Sequence, residues 1–167
     1  MRRPGERAIP GKITVRVGSR KLVLTKGSGE SERHVLLKAL LFARYIDAYP
    51  DLLVERSVGL RYKPDLIEIG STQSIRFWGE CGVTSRQKVQ WLVRHVREGH
   101  LVFARQAGAS DTFVDVVADA VQRQPRHGLI EVLAFGDDAW DQIADDGTIE
   151  PAALRPTVTR FDPAPSR

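Results

Sequence analysis

The sequence predicts an α/β fold: a mixed β-sheet flanked by helices, preceded by a β-hairpin. Three observations carry this reading. Short alternating or continuous apolar runs recur between turn residues. Other stretches repeat apolar residues at helical spacing. The middle of the chain then reads helix, strand, strand, strand, helix, strand. Three strands with short links make an antiparallel meander, and a helix before the next strand allows parallel pairing, so both faces of the sheet gain cover.

The elements follow in order. ITVRV (13–17) and KLVLTK (21–26) alternate around GSR, which predicts the hairpin. Ser31 is placed to cap a helix running to about Tyr49, with Val35, Leu36, Ala39, Leu40 and Ala43 as one stripe and Pro50 as its stop. LVERSVGLRY (53–62), PDLIEIG (64–70) and STQSIRFWGECG (71–82) read as three strands, the last two joined by a turn at Gly70–Gln73. Thr84 and Ser85 are cap residues for a second helix with Val89, Leu92, Val93 and Val96 on one face. HLVFAR (100–105) predicts a strand, DTFVDVVADAVQRQ (111–124) a helix with an acidic outer face, and LIEVLAF (129–135) the final strand. DDAWDQIADDG predicts a further helical turn or two. Residues 1–154 are expected to form a single domain, and the Pro-rich tail, 155–167, to be disordered or draped on the surface.

Composition narrows the function classes. A chain of 167 residues with 42% apolar and 28% charged residues can bury a substantial core and matches no fibrous or disordered class. The single cysteine, Cys81, excludes an intrachain disulfide and a cysteine zinc site, and makes a reducing cytoplasm the expected compartment. The basic start, MRRPGERAIPGK, is not followed by an apolar core, so no secretory signal is expected. Lys38 and Arg44 break the longest apolar stretch, so no membrane span is expected either. Charge is unevenly placed: residues 1–33 hold nine Lys/Arg against three acids, residues 111–167 five against eleven. That polarity suits a phosphate-bearing partner at one side of the molecule, and nucleic acid is the expected one.

The residues that point to chemistry lie in RYKPDLIEIGSTQSIRFWGECG (61–82). If the two strands pair around residues 70–73, Asp65 and Glu80 meet at the open end of the hairpin. Two such carboxylates repel unless a cation lies between them. Mg²⁺ or Mn²⁺ takes oxygen ligands and uses one or two carboxylates with water and phosphate, and the backbone carbonyl of Cys81 is a natural further ligand. Pro64 fixes the approach to Asp65 and has no N–H to leave unpaired. A third acid is expected from the first helix, where Glu32 lies in register with Leu36, Ala39 and Ala43; Glu30, before the helix, is the second choice. A lysine two residues after Glu80 would share its face, but that residue is Gly82. Lys88, early in the next helix, can reach back with its four-carbon stem; Arg86 is the weaker candidate, and Gln87 can hold phosphate or water.

This arrangement, PD, fourteen residues, then ExG in place of ExK, resembles the PD-(D/E)XK nuclease superfamily. More closely, KLVLTKGSGESERHVLLKALLFARY, the PDL of 64–66 and WGECG of 78–82 resemble the YaeQ family, over roughly residues 12 to 105. The resemblance implies a restriction-endonuclease-like α-β-β-β-α-β core. It also implies a Mg²⁺-dependent nuclease with functional positions at Asp65, Glu80, Glu32 and Lys88. Gly82 departs from the superfamily pattern, a departure shared by YaeQ-like proteins.

Plainer roles stand beside these. Asp65 can cap a turn, Glu32 can complement the helix N-terminus, and Lys88 can be a solvated helix residue. Glu80 can form a structural salt bridge with Arg76 or Arg61. The tryptophans read as core rather than as base-stacking platforms, with Trp78, on Glu80's face, as the exception. His34, His95, His100 and His127 show no metal-ligand spacing. No glycine-rich phosphate loop follows a strand, which argues against ATP or dinucleotide use. The alternative to an enzyme is an inactive nuclease-fold module that binds nucleic acid or a protein.

Overall fold

The structure, a computed structural model, describes residues 11–108 and 111–165. The hairpin is β1 (Lys12–Val17) and β2 (Arg20–Thr25). Helix α1 (Glu32–Tyr45) follows, its first turn capped by the Ser31 hydroxyl, which accepts from the His34 amide at 3.2 Å. Then come β3 (Leu53–Val54), β4 (Leu66–Ile69), β5 (Ile75–Cys81), α2 (Arg86–His95), β6 (His100–Gln106), α3 (Asp111–Arg123), β7 (Ile130–Phe135) and β8 (Thr157–Phe161). Six strands form one mixed sheet in the order β3-β4-β5-β6-β7-β8. β5, β6 and β7 are parallel, and the outer pairings are antiparallel.

Alternation along the strands splits the core in two. Leu66, Phe77, Val102 and Leu133 face α1, over which the hairpin lays Val15, Val17 and Leu24. Ile67, Trp78, Leu101, Phe103 and Val132 face α2 and α3. The layers are therefore hairpin, α1, sheet, and the α2–α3 pair. Because α1 is covered on two sides, most of its circumference is buried, Lys38 included. The α/β class, the hairpin and the helices on both faces are as expected.

Two expectations are corrected. The segment 53–62 is strand only at Leu53–Val54, since Glu55 takes a left-handed φ of 55° and turns the chain out of the sheet. The tail expected to be disordered contains β8, which pairs residue by residue with β7 from Ile130↔Phe161 to Ala134↔Thr157. LIEVLAF is thus not the final strand. Pro156 and Pro163 bound β8 at the sheet edge, where a strand needs only one row of partners. DDAWDQIADDG gives a 3₁₀ segment at Asp137–Gln142, which carries Trp140 under the hairpin side of the core.

Candidate functional site

β4 and β5 are in register with Leu66 opposite Gly79, so Asp65 and Glu80 end up at the same rim of the sheet. Asp65 lies one residue before β4, anchored by its amide to the Gly79 carbonyl at 3.1 Å. Its side chain curls over the end of β5. Oδ2 accepts from the Cys81 amide at 2.8 Å, and Oδ1 lies 3.3 Å from Nε2 of His34 on α1. Burial opposes ionisation of Asp65, but His34 and the Cys81 N–H prevail and hold its carboxyl below the usual range. His34 is raised in turn, chiefly by Asp65.

Glu80 sits on the opposite face of β5, 3% exposed, beside Trp78. The indole Nε1–H donates to Oε1 at 2.8 Å, and the Lys88 ammonium donates to Oε2 at 2.6 Å. Ser85 caps α2 by accepting from the Lys88 amide at 3.1 Å, so the lysine leaves the first turn of the helix and bends back to the strand end. Its stem passes the Tyr62 ring, with Nζ 5.3 Å from the ring centre. Despite these two donors, burial and the neighbouring Asp65 charge raise Glu80 above the usual carboxylate range, burial being the larger cause. Arg76, an alternative partner from sequence, instead pairs with Glu68 at 2.6 Å.

Gly82 follows β5 with φ 81°, in the left-handed region that a lysine side chain disfavours. The position two after Glu80 has already left the strand, which is a physical reason for a lysine arriving from α2 instead. Cys81, the last residue of β5, is a buried thiol on the α1 face, with its pKa pushed up by burial.

Glu30, just before the Ser31 cap of α1, is the acid that meets His34 and Lys38. Glu30 pairs with Lys38, and its Oε1 lies 3.6 Å from His34 Nδ1. Lys38 also pairs with Glu55. Glu32 is half-buried two positions before His34, roughly 200° around the helix. The wide apolar stripe of α1 hid this, because it serves the hairpin as well as the sheet. A signal was nonetheless present: Glu30, His34 and Lys38 recur at intervals of four and share one helical face. His34 was missed because it was weighed only as a metal ligand.

The donors were tested against a divalent cation. Among the described residues no group of three or more His, Cys, Asp or Glu is placed to hold a metal ion. Asp65 and Glu80 do supply oxygen donors at one rim. That suits Mg²⁺ or Mn²⁺, which keep much of their water and complete their shell with phosphate, and not a caged ion.

Neither protein-family models nor curated protein sequences match the chain. Solved structures do, two YaeQ proteins among them. The crystal structure of YaeQ protein from Xanthomonas axonopodis pv. citri superposes with a TM-score of 0.62 at 16% identity, covering 92% of this chain and 97% of that one. That of YaeQ protein from Pseudomonas syringae gives 0.56 at 18% identity, covering 86% and 78%. Among the described residues no helix is long and apolar enough to cross a membrane. The chain has the fold of the YaeQ proteins.

Proposed function

We propose that the rim holding Asp65, Glu80 and Lys88 is a metal-dependent phosphodiesterase centre of the PD-(D/E)XK kind that hydrolyses nucleic acid in a reducing cytoplasm. The observation that carries this reading is the Lys88 ammonium, 2.6 Å from the buried Glu80 carboxylate at the strand end facing Asp65. Asp65 and Glu80 would hold Mg²⁺ or Mn²⁺, with the Cys81 carbonyl as a further ligand. When bound, the ion would polarise the phosphate and lower the pKa of water.

The chain's own residues do the rest. Lys88 presents three N–H donors where Glu80 fixes them, so one can orient a water and another can meet negative charge building on the phosphate oxygens. Trp78 holds the Glu80 rotamer, while His34 and the Cys81 amide hold Asp65. The water oxygen bonds to phosphorus and gives up a proton to solvent, one phosphorus–oxygen ester bond breaks, and the departing alkoxide takes a proton back from solvent, so the step balances as one water added across the ester bond. The exposed outer face of the hairpin, with Lys12, Arg16 and Lys21, suits sequence-independent contact with the backbone.

One observation favours the alternative of a non-cutting module: all four oxygens of Asp65 and Glu80 already face protein nitrogens. Calorimetric titration of Mg²⁺ and Mn²⁺ into the wild type, Asp65→Ala and Glu80→Ala separates the two. Saturable binding lost in both variants, with cleavage of labelled oligonucleotides lost in Lys88→Met, supports the enzyme. Absence of both binding and cleavage in the wild type supports the module.

A further inference from the structure

A series of ring contacts leads away from the proposed centre along α2. The Lys88 ammonium lies 5.3 Å from the centre of the Tyr62 ring. Tyr62 meets Trp91 edge to face at 5.3 Å, and Trp91 stacks on His95 at 4.3 Å with the planes 14° apart. Lys88, Trp91 and His95 are spaced by three and four residues, so they share one helical face. Tyr62 comes from the loop between β3 and β4. The Glu55 amide ties the ends of that loop by donating to the Asp65 carbonyl at 2.8 Å, which keeps the loop beside the centre.

Tyr62 and Trp91 are half-buried against the core under α2, whereas His95 is exposed. Its Nδ1 lies 2.8 Å from the Trp91 carbonyl, so the ring is held in place with little freedom left to lose. Beyond His95 lies a cavity of about 560 Å³. Val58, Leu60 and Ile69 give it apolar walls, and Gln73 and Ser74 add polar groups able to meet a base edge. Leu60 and Ile69 are otherwise exposed large apolar side chains. Among the described residues its lining holds one acid, Glu98, beside one arginine, Arg97, so ring and apolar surface distinguish it more than charge does. The cation of the series is Arg61, exposed, with its guanidinium 5.3 Å from the centre of the Tyr62 ring.

A duplex keeps its bases stacked on each other and offers proteins its phosphates. Unpaired bases offer their π-faces, and held rings with an adjoining arginine suit them. From Lys88 to His95 the helix rises about 10 Å, which a stacked strand at about 3.4 Å per phosphate covers in about three nucleotides.

We propose that this flank of α2 binds unpaired nucleotides of the strand that enters the centre, with one base stacked on His95 and seated in the cavity, and Arg61 on the backbone between the cavity and Lys88. The assignment rests on the phosphodiesterase reading for its substrate class, and it adds the form of that substrate, a single-stranded segment.

The test is fluorescence anisotropy of one fluorescein-labelled oligonucleotide, as a single strand and as a blunt duplex, with the full chain in EDTA. The single strand should bind about ten-fold more tightly. His95→Ala should weaken single-strand binding about ten-fold, the loss of one stacked base, and leave duplex binding unchanged. His95→Phe should restore the affinity, because it returns a ring. Arg61→Gln should lower the slope of log affinity against log salt for the single strand by about 0.7, the signature of one lost phosphate contact. Arg160→Gln, on β8 at the far edge of the sheet, should match the wild type.

A wild type that prefers the duplex, or that binds neither form at low salt, would overturn the assignment. So would a single-strand preference that survives His95→Ala, or an equal loss in His95→Phe, which would mean that the ring at this position does not stack on a base. Metal titration judges the chemistry separately. A single-strand preference carried by His95 without metal binding would keep the flank and remove the phosphodiesterase, and metal binding with an indifferent His95→Ala would do the reverse.

Discussion

The two ends of the sheet both bury carboxylates, and they treat them in opposite ways. At the amino end of β6 and β7, Glu131 accepts from the Tyr45 hydroxyl at 2.9 Å and lies 2.7 Å from His100 Nε2. His100 is itself tied to the Tyr49 hydroxyl at 2.9 Å, and Tyr45, Tyr49 and Phe77 pack around it. His100, assisted by Tyr45, lowers Glu131 below the usual carboxylate range. At the carboxyl end of β5, Glu80 has two donors yet stays raised above that range. A buried acid is thus not by itself a functional signal. What separates the ends is the direction of the shift: the partners of Glu131 outweigh its burial, whereas burial outweighs the two donors of Glu80.

The strongest challenge to this contrast is Glu131→Ala. It leaves the Tyr45 hydroxyl and His100 without their buried acceptor, and should cost about 3 kcal/mol in urea unfolding. Mg²⁺ binding should be unchanged; a loss of metal binding would erase the distinction between the two ends.

Lys88→Met should cost about 2 kcal/mol, because it leaves the buried Glu80 charge without its cation. Cleavage should fall by about 100-fold or more. Adding Glu80→Gln should restore the stability and not the cleavage. A double variant no more stable than Lys88→Met would show that Glu80 is not strained.

Gly82→Lys rebuilds the superfamily spacing. It should nevertheless destabilise by about 1–2 kcal/mol through its left-handed backbone, and should not replace Lys88 in the Lys88→Met background. Rescue of cleavage there would mean that the turn yields easily.

The pH dependences should have opposite signs. Glu131 is depressed in the folded state, so its contribution is present above the ordinary glutamate range and fades as pH falls through its folded value. Glu80 is raised, so folding gains as pH falls through its elevated value. Glu131→Gln should therefore destabilise at neutral pH and lose that effect in acid, whereas Glu80→Gln should stabilise at neutral pH and lose that gain in acid. Chemical denaturation from neutral to acid pH measures both, and equal signs would refute the contrast. The smallest effect is expected at the hairpin, where Arg16→Gln or Lys21→Gln should weaken duplex binding by a few-fold at low salt.

Much of this was legible in the sequence, for local reasons. ITVRV and KLVLTK alternate, so the hairpin can form only with its apolar side inward. Ser31 and Ser85 cap the helices they precede, through hydrogen bonds spanning three residues. Lys88 was within reach of Glu80 because the loop between strand and helix is short. The misses are non-local. β8 carries little pattern of its own and exists because β7 offers an open edge. The meeting of Glu30 with His34 and Lys38 was hidden because helix rotation was set by two covering layers, not one.

The sequence by itself determined the hairpin, the helices, the order of the elements as far as β7 and two of the acids, because periodicity, caps and prolines act within a few residues. Only the tertiary structure decided that Lys88 closes on Glu80 and that His34 closes on Asp65. Those meetings depend on how the sheet is ordered and how α1 is rotated. Long-range packing fixes both, by burying apolar faces that many registers of the same local pattern would satisfy equally well.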